Sequence, residues 1–140
     1  MEFIVTDRRS IERGLVVRTP YIVISVRDPG TPKPRIRRGA GFRDALYLAF
    51  HDAEPTDQFE LPSDISLMSH RDGERIWEFV YRWSDQIGTI VCHCEQGMSR
   101  SPAVAIGLCV GLGEDSAELV AEYSPNVYVR QLVTAGKRTD

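Results

Sequence analysis

Short, unbroken apolar runs dominate the first half of the chain. Residues 2–6 (EFIVT), 21–26 (YIVISV), 45–50 (ALYLAF) and 89–92 (TIVC) have strand length, and the second is rich in β-branched residues. Runs without polar alternation belong to strands covered on both faces, which predicts a largely parallel sheet. From Ser69 to Gln86 the spacing changes. Ile76, Phe79, Val80, Trp83 and Ile87 step by three and four, one buried stripe of a helix that Gly88 should end. A second helix is predicted from Ser101, with Pro102 in its first turn, to about Gly111. A third starts near Asp115, where Asp115 and Glu118 have capping-box spacing, and a fourth near Asn126 covers 127–133. Strand, helix, strand, helix over 45–111 implies a parallel βαβ unit. The expected fold class is α/β, with a central, mostly parallel sheet of roughly four to five strands flanked by helices.

Composition narrows the function classes. At 140 residues there is room for one core, so a single domain over 1–140 is expected. The 42% apolar and 26% charged content is that of a globular chain and excludes disordered, collagen-like and coiled-coil classes. A net charge of −3 supplies no general field for nucleic acid or acidic lipid, so neither is expected as a partner. No apolar stretch approaches the length of about 18 residues that a membrane span needs, and the N-terminus lacks the order of a secretory signal. Three cysteines make no disulfide framework and fit a reducing, cytoplasmic setting. Two segments break the periodicity, a glycine- and proline-rich one at 28–41 and an acidic one at 52–64. Both are long enough to be functional. The oligomeric state is left open.

The chemistry concentrates between the run 89–92 and the helix from Ser101, in Cys92-His93-Cys94-Glu95-Gln96-Gly97-Met98-Ser99-Arg100-Ser101. Backbone amides of a strand-to-helix turn have no ladder partners. They can curl inward with the helix N-terminus and cradle an oxyanion, which makes Glu95, Gln96, Gly97, Met98, Ser99 and Arg100 the candidate phosphate-binding loop. Gly97 supplies backbone freedom, and Arg100 a planar fork for two phosphate oxygens. Cys94 faces the same donors, which would stabilise a thiolate aimed at bound phosphorus. A zinc site at Cys92-His93-Cys94 falls short of ligands, since strand geometry turns His93 away from both cysteines; no metal or other cofactor is expected.

The arrangement resembles the cysteine-dependent phosphatases of the protein-tyrosine-phosphatase superfamily, above all the dual-specificity branch. The branch signature His-Cys-x5-Arg-Ser is present as His93, Cys94, Arg100 and Ser101; Gly97, Ser99 and Pro102 also agree, and the likeness extends toward Pro125-Asn126. The spacing does not suit rhodanese-type sulfurtransferases, whose loop is shorter. The resemblance implies a phosphatase fold and hydrolysis of phosphotyrosine, with phosphoserine and phosphothreonine as further substrates, through a phosphocysteine. It assigns attack to Cys94, phosphoryl binding to Arg100, loop organisation to His93 and a hydrogen bond to the departing sulfur to Ser101. The alternatives are a catalytically weak module that reads phosphorylated partners, and a phosphatase of small-molecule or RNA phosphates. Cys92 departs from the valine common in this branch, leaving a core role or a protective disulfide with Cys94.

The resemblance also calls for an upstream aspartate as general acid. Asp52, Asp57 and Asp64 precede Cys94 by 42, 37 and 30 positions. Sites gather at the carboxyl ends of parallel strands, and Asp52 follows one such end as Cys94 follows another; if those strands are neighbours, both side chains reach one crevice, which favours Asp52 as the acid, with Asp57 as the alternative. Lys33, Arg35, Arg37, Arg38 and Arg43 form the only basic cluster, either a steering surface or a solvated loop. Trp77, Phe79, Tyr81 and Trp83 read as packing. Lipid and inositol phosphatases of the superfamily it resembles tend to place lysines in this loop; Glu95, Gln96 and Met98 put none there, so the resemblance implies a monophosphate ester on a protein. The expected partner is thus a phosphorylated protein or a small phosphate ester.

Overall fold

The structure is a computed structural model that describes residues 1–58 and 60–137. Four strands, β1 (Glu2–Asp7), β2 (Tyr21–Arg27), β3 (Phe42–Ala49) and β4 (Thr89–Cys94), form one sheet in the order β1-β4-β2-β3. Every pairing is parallel, so all four carboxyl ends lie along one edge. Five α-helices accompany them: α1 (Arg8–Arg13), α2 (His70–Trp83), α3 (Arg100–Gly111), α4 (Ala117–Glu122) and α5 (Val127–Gly136). The α/β class and the largely parallel sheet are as the sequence implied.

Side-chain alternation along the two central strands divides the core. Ile22, Ile24 and Val26 of β2 join Ile90, Cys92 and Cys94 of β4 in the larger cluster, under α2, α3 and α5. Val23 and Val91 face the opposite side with Tyr21 and Ile11, where α1 and the 33–43 segment cover them. Both faces are therefore apolar, which explains the unbroken runs. Each fully buried Ile or Val contributes about 1.5–3 kcal/mol relative to exposure. α2 and α5 cross where Gly73 meets Gly136; a Cβ on Gly73 would stand 2.5 Å from the Leu132 carbonyl oxygen. Trp77 closes that crossing with an indole N–H donated to the Val133 carbonyl at 2.6 Å.

Several expectations need correction. β3 begins at Phe42 rather than Ala45, and β4 runs on to Cys94. β3 and β4 are not neighbours, because β2 lies between them. α1 was not predicted: it is only six residues long, with one buried side chain, Ile11, too few to leave a periodic stripe. α2 does not run to Gly88. It ends at Trp83 in a 3-10 turn, and Gly88 serves instead to let Thr19 approach, since a Cβ there would lie 2.7 Å from its hydroxyl oxygen. The Asp115–Glu118 box does not form. Asp115 accepts from the Ala117 N–H, and Ser116 heads α4 without a side-chain cap. Among the described residues no helix is long and apolar enough to cross a membrane.

Candidate active site

The shared edge of carboxyl ends gathers the predicted residues. β4 delivers Cys94 as its last residue, and the turn 95–99 leads straight into α3. Cys94 is 3% exposed and lines a cleft of ≈ 240 Å3. The Gly97 N–H donates to its Sγ at 3.2 Å, and the buried Ser101 hydroxyl stands 3.2 Å from the same sulfur. Gly97 has φ +70°, and a Cβ there would meet the Thr6 carbonyl oxygen at 2.7 Å, so the loop can lie against β1 only with glycine. The segment after β1 braces the loop again. The Arg8 backbone N–H donates to the Glu95 carbonyl at 3.3 Å, and its guanidinium reaches the Glu95 carboxylate at 3.1 Å.

Arg100 opens α3 and is 6% exposed. Its Nη1 donates to the Asp28 carboxylate and to the Phe50 carbonyl, both at 2.7 Å. Asp28 follows β2 and Phe50 follows β3, so two strand ends fix the guanidinium beside Cys94. No side chain caps the first turn of α3, because the Ser99 hydroxyl is donated elsewhere, to Asp52 at 2.9 Å. The helix start is thereby left open to an anion.

Asp52 lines the same cleft. Its Oδ1 accepts from Ser99 and from the Asn126 side-chain amide, each at 2.9 Å. Asn126 also donates to the Ala53 carbonyl at 3.2 Å, while its Oδ1 caps α5 by accepting the Val129 N–H at 3.0 Å. The strand-neighbour condition set for Asp52 fails, since β2 intervenes. Three residues of chain beyond β3 and the tethers to Ser99 and Asn126 bring it to the cleft instead. Asp57 lines a separate open groove with Glu60, and Asp64 is not among the residues that line the cleft.

Glu95, Gln96, Met98, Ser99 and Arg100 all line the cleft, with Gly97 held against β1. His93 points to the other face of the sheet, buried, with Nε2 2.8 Å from the Ser25 hydroxyl and Nδ1 3.4 Å from the Cys94 carbonyl. Burial holds its pKa below the ordinary histidine value, outweighing the bond to the Cys94 backbone. Cys92 is wholly buried in the main core, and burial pushes its thiol pKa up; all three cysteines are free thiols.

The basic segment does not line the cleft. Lys33 stands over the Tyr47 ring at 4.8 Å, Arg38 over Phe42 at 5.1 Å, and Arg37 donates to the Arg13 carbonyl. Trp77 and Phe79 are core residues, Trp83 donates to Asp44 and Tyr81 is exposed. Two residues of the site were missed. Asp28 was legible from the rule applied to Asp52, since it too follows a strand of the sheet. Asn126 was noted only within the Pro125-Asn126 step, and its bond to Asp52 spans 74 positions, beyond any local signal.

No family model matches the sequence, and no curated protein matches it. Solved structures do. A human tyrosine phosphatase-like serine/threonine/tyrosine-interacting protein superposes with TM-score 0.54 at 18% identity, over 82% of this chain and 74% of that one. The fold is phosphatase-like. A mouse protein assigned as a dual specificity phosphatase and solved with zinc tungstate gives TM-score 0.51, again at 18% identity, over 82% of this chain and 69% of its own. Within this phosphatase-like fold, the cleft at the strand ends is built from three separate segments, by Asp28, by Asp52 and by the continuous stretch from Cys94 to Arg100.

Proposed function

We propose that this protein is a cysteine-dependent phosphatase of phosphate monoesters, phosphotyrosine first and phosphoserine or phosphothreonine next, working through a phosphocysteine. The observation that carries the reading is the single cleft lined by Cys94, Arg100 and Asp52. In the first step the Cys94 thiolate attacks phosphorus. The S–P bond forms, the ester P–O bond breaks, and the departing oxygen takes a proton from the Asp52 carboxyl group. In the second, water attacks the phosphocysteine and gives its proton to the Asp52 carboxylate. The S–P bond breaks, and the Ser101 hydroxyl donates to the leaving sulfur. Arg100 and the loop amides hold the phosphoryl oxygens throughout. His93 organises the loop from behind through Ser25 and the Cys94 carbonyl. Met98, 66% exposed beside the cleft, offers an apolar surface to an aryl leaving group. The mouse structure with tungstate, a tetrahedral oxyanion, supports the ligand class.

Purified protein should hydrolyse p-nitrophenyl phosphate in the presence of EDTA. Cys94→Ser should lower turnover by about 10³-fold or more while still binding vanadate. Asp52→Ala should cost about 10²-fold on a phosphopeptide and less on p-nitrophenyl phosphate, whose leaving group needs little help. Loss of activity in EDTA, or activity retained by Cys94→Ser, refutes the mechanism. The name of the human neighbour, an interacting protein, favours a second reading as a phospho-reader. A single-turnover assay separates the two, since a reader binds phosphopeptide without releasing phosphate.

A further inference from the structure

Three carboxylates, Asp28, Asp52 and Glu95, line the cleft against one guanidinium, Arg100, which already bonds Asp28 at 2.7 Å. Asp28 and Glu95 are 42% and 31% exposed at the mouth, each with an arginine partner, Arg100 at 2.7 Å and Arg8 at 3.1 Å, which leaves Asp52 as the cleft carboxylate without an ion pair among the described residues. The acidity continues along the chain. The 52–64 segment carries Asp52, Glu54, Asp57, Glu60 and Asp64 without a single Lys or Arg, and Asp57 and Glu60 line an open groove on its surface. Among the described residues no ion pair reaches the carboxylates of the 52–64 segment, and Lys33 and Arg38 stand over Tyr47 and Phe42. Loop amides and the α3 N-terminus can offset the charge of one phosphoryl group locally. They offer nothing to a second phosphate or to a phosphodiester backbone, which the 52–64 carboxylates repel. A cation carried by the substrate is attracted instead.

From this charge distribution we infer that the substrate is a phosphorylated polypeptide with Lys or Arg beside the phosphoresidue, its basic flank lying along the acidic surface that runs from the cleft mouth onto the 52–64 segment. The inference rests on the phosphatase reading for its chemistry and adds the class of substrate.

Matched phosphotyrosine peptides with Lys-rich, Gln-rich or Glu-rich flanks test it. At about 50 mM salt the Lys-flanked peptide should exceed the Glu-flanked one in kcat/KM about tenfold, and the ratio should shrink to about twofold at ~0.5 M salt. Glu60→Lys combined with Glu95→Gln, with rates normalised to the variant's own hydrolysis of p-nitrophenyl phosphate, should lower the ratio about threefold. A wild-type protein that hydrolyses p-nitrophenyl phosphate but shows a ratio of one or below overturns the inference and leaves the phosphatase reading standing. If p-nitrophenyl phosphate is not hydrolysed, the phosphatase reading fails, and fluorescence anisotropy with the same peptides decides the charge preference. Tighter binding of the Lys-flanked phosphopeptide upholds the preference. Equal binding of Lys and Glu flanks, or equal binding of the unphosphorylated Lys peptide, overturns it.

Discussion

Replacing Asp28 tests how the cleft holds its guanidinium. Arg100 is almost fully buried, and one nitrogen donates both to the Asp28 carboxylate and to the Phe50 carbonyl. Removing the partner of a fully buried charge costs roughly 3–5 kcal/mol, whereas an exposed pair is worth about 0.2–1 kcal/mol. Asp28 is 42% exposed, so the pair falls between these limits. Asp28→Ala should therefore cost about 1.5 kcal/mol in urea unfolding. It should also leave the guanidinium hanging from the Phe50 carbonyl alone, with oxyanion binding weakened and kcat/KM down about tenfold or more. Asp28→Asn separates anchoring from charge. Its side-chain oxygen can still accept from Nη1, while a negative charge worth about 1 kcal/mol against an anion is removed. Vanadate should then bind about fivefold more tightly to Asp28→Asn and more weakly to Asp28→Ala, measured as competitive inhibition. Vanadate affinities that move in the same direction in both variants refute the anchoring role.

Gly97→Ala should lower kcat/KM by about 10²-fold at a stability cost of about 1–2 kcal/mol. Its Cβ meets the Thr6 carbonyl oxygen at 2.7 Å, so the loop must leave β1 and take its N–H from the Cys94 sulfur; unchanged kinetics would contradict this. Asn126→Ala removes both the α5 N-cap and a donor to Asp52, so circular-dichroism melts should show a loss of about 1 kcal/mol, with a fall in rate greatest on poor leaving groups. His93 gives stability a pH dependence. Burial keeps its folded-state pKa low, so as pH falls through about 6.5 the unfolded chain takes the proton first and stability declines, until the folded-state pKa is passed. Tm should therefore fall between pH 8 and pH 5, and His93→Gln should flatten that part of the curve. The Asp7 carboxyl, held low by the Ser10 N–H, acts in a separate window below about pH 4, where protonation releases the cap of α1.

Local pattern determined much of this protein. Apolar runs marked β2 and β4 because both of their faces are buried, and the step of three and four along 76–83 marked the inward stripe of α2. The Cys94–Ser101 stretch was legible because a cradle built from consecutive backbone groups is a local device, complete within a few residues. Tertiary structure decided what depends on strands separated in the chain. Asp28 reaches Arg100 across 72 positions and Asn126 reaches Asp52 across 74, distances at which no periodicity carries information. The order β1-β4-β2-β3 put β2 between the two strands expected to touch, so Asp52 reaches the cleft through a tethered loop rather than by strand adjacency. The charge of the cleft was decided in the same way. Composition showed a basic segment and an acidic one, and only the folding of the chain over its sheet turned Lys33 and Arg38 of the first to aromatic partners and brought Asp52 of the second to the site.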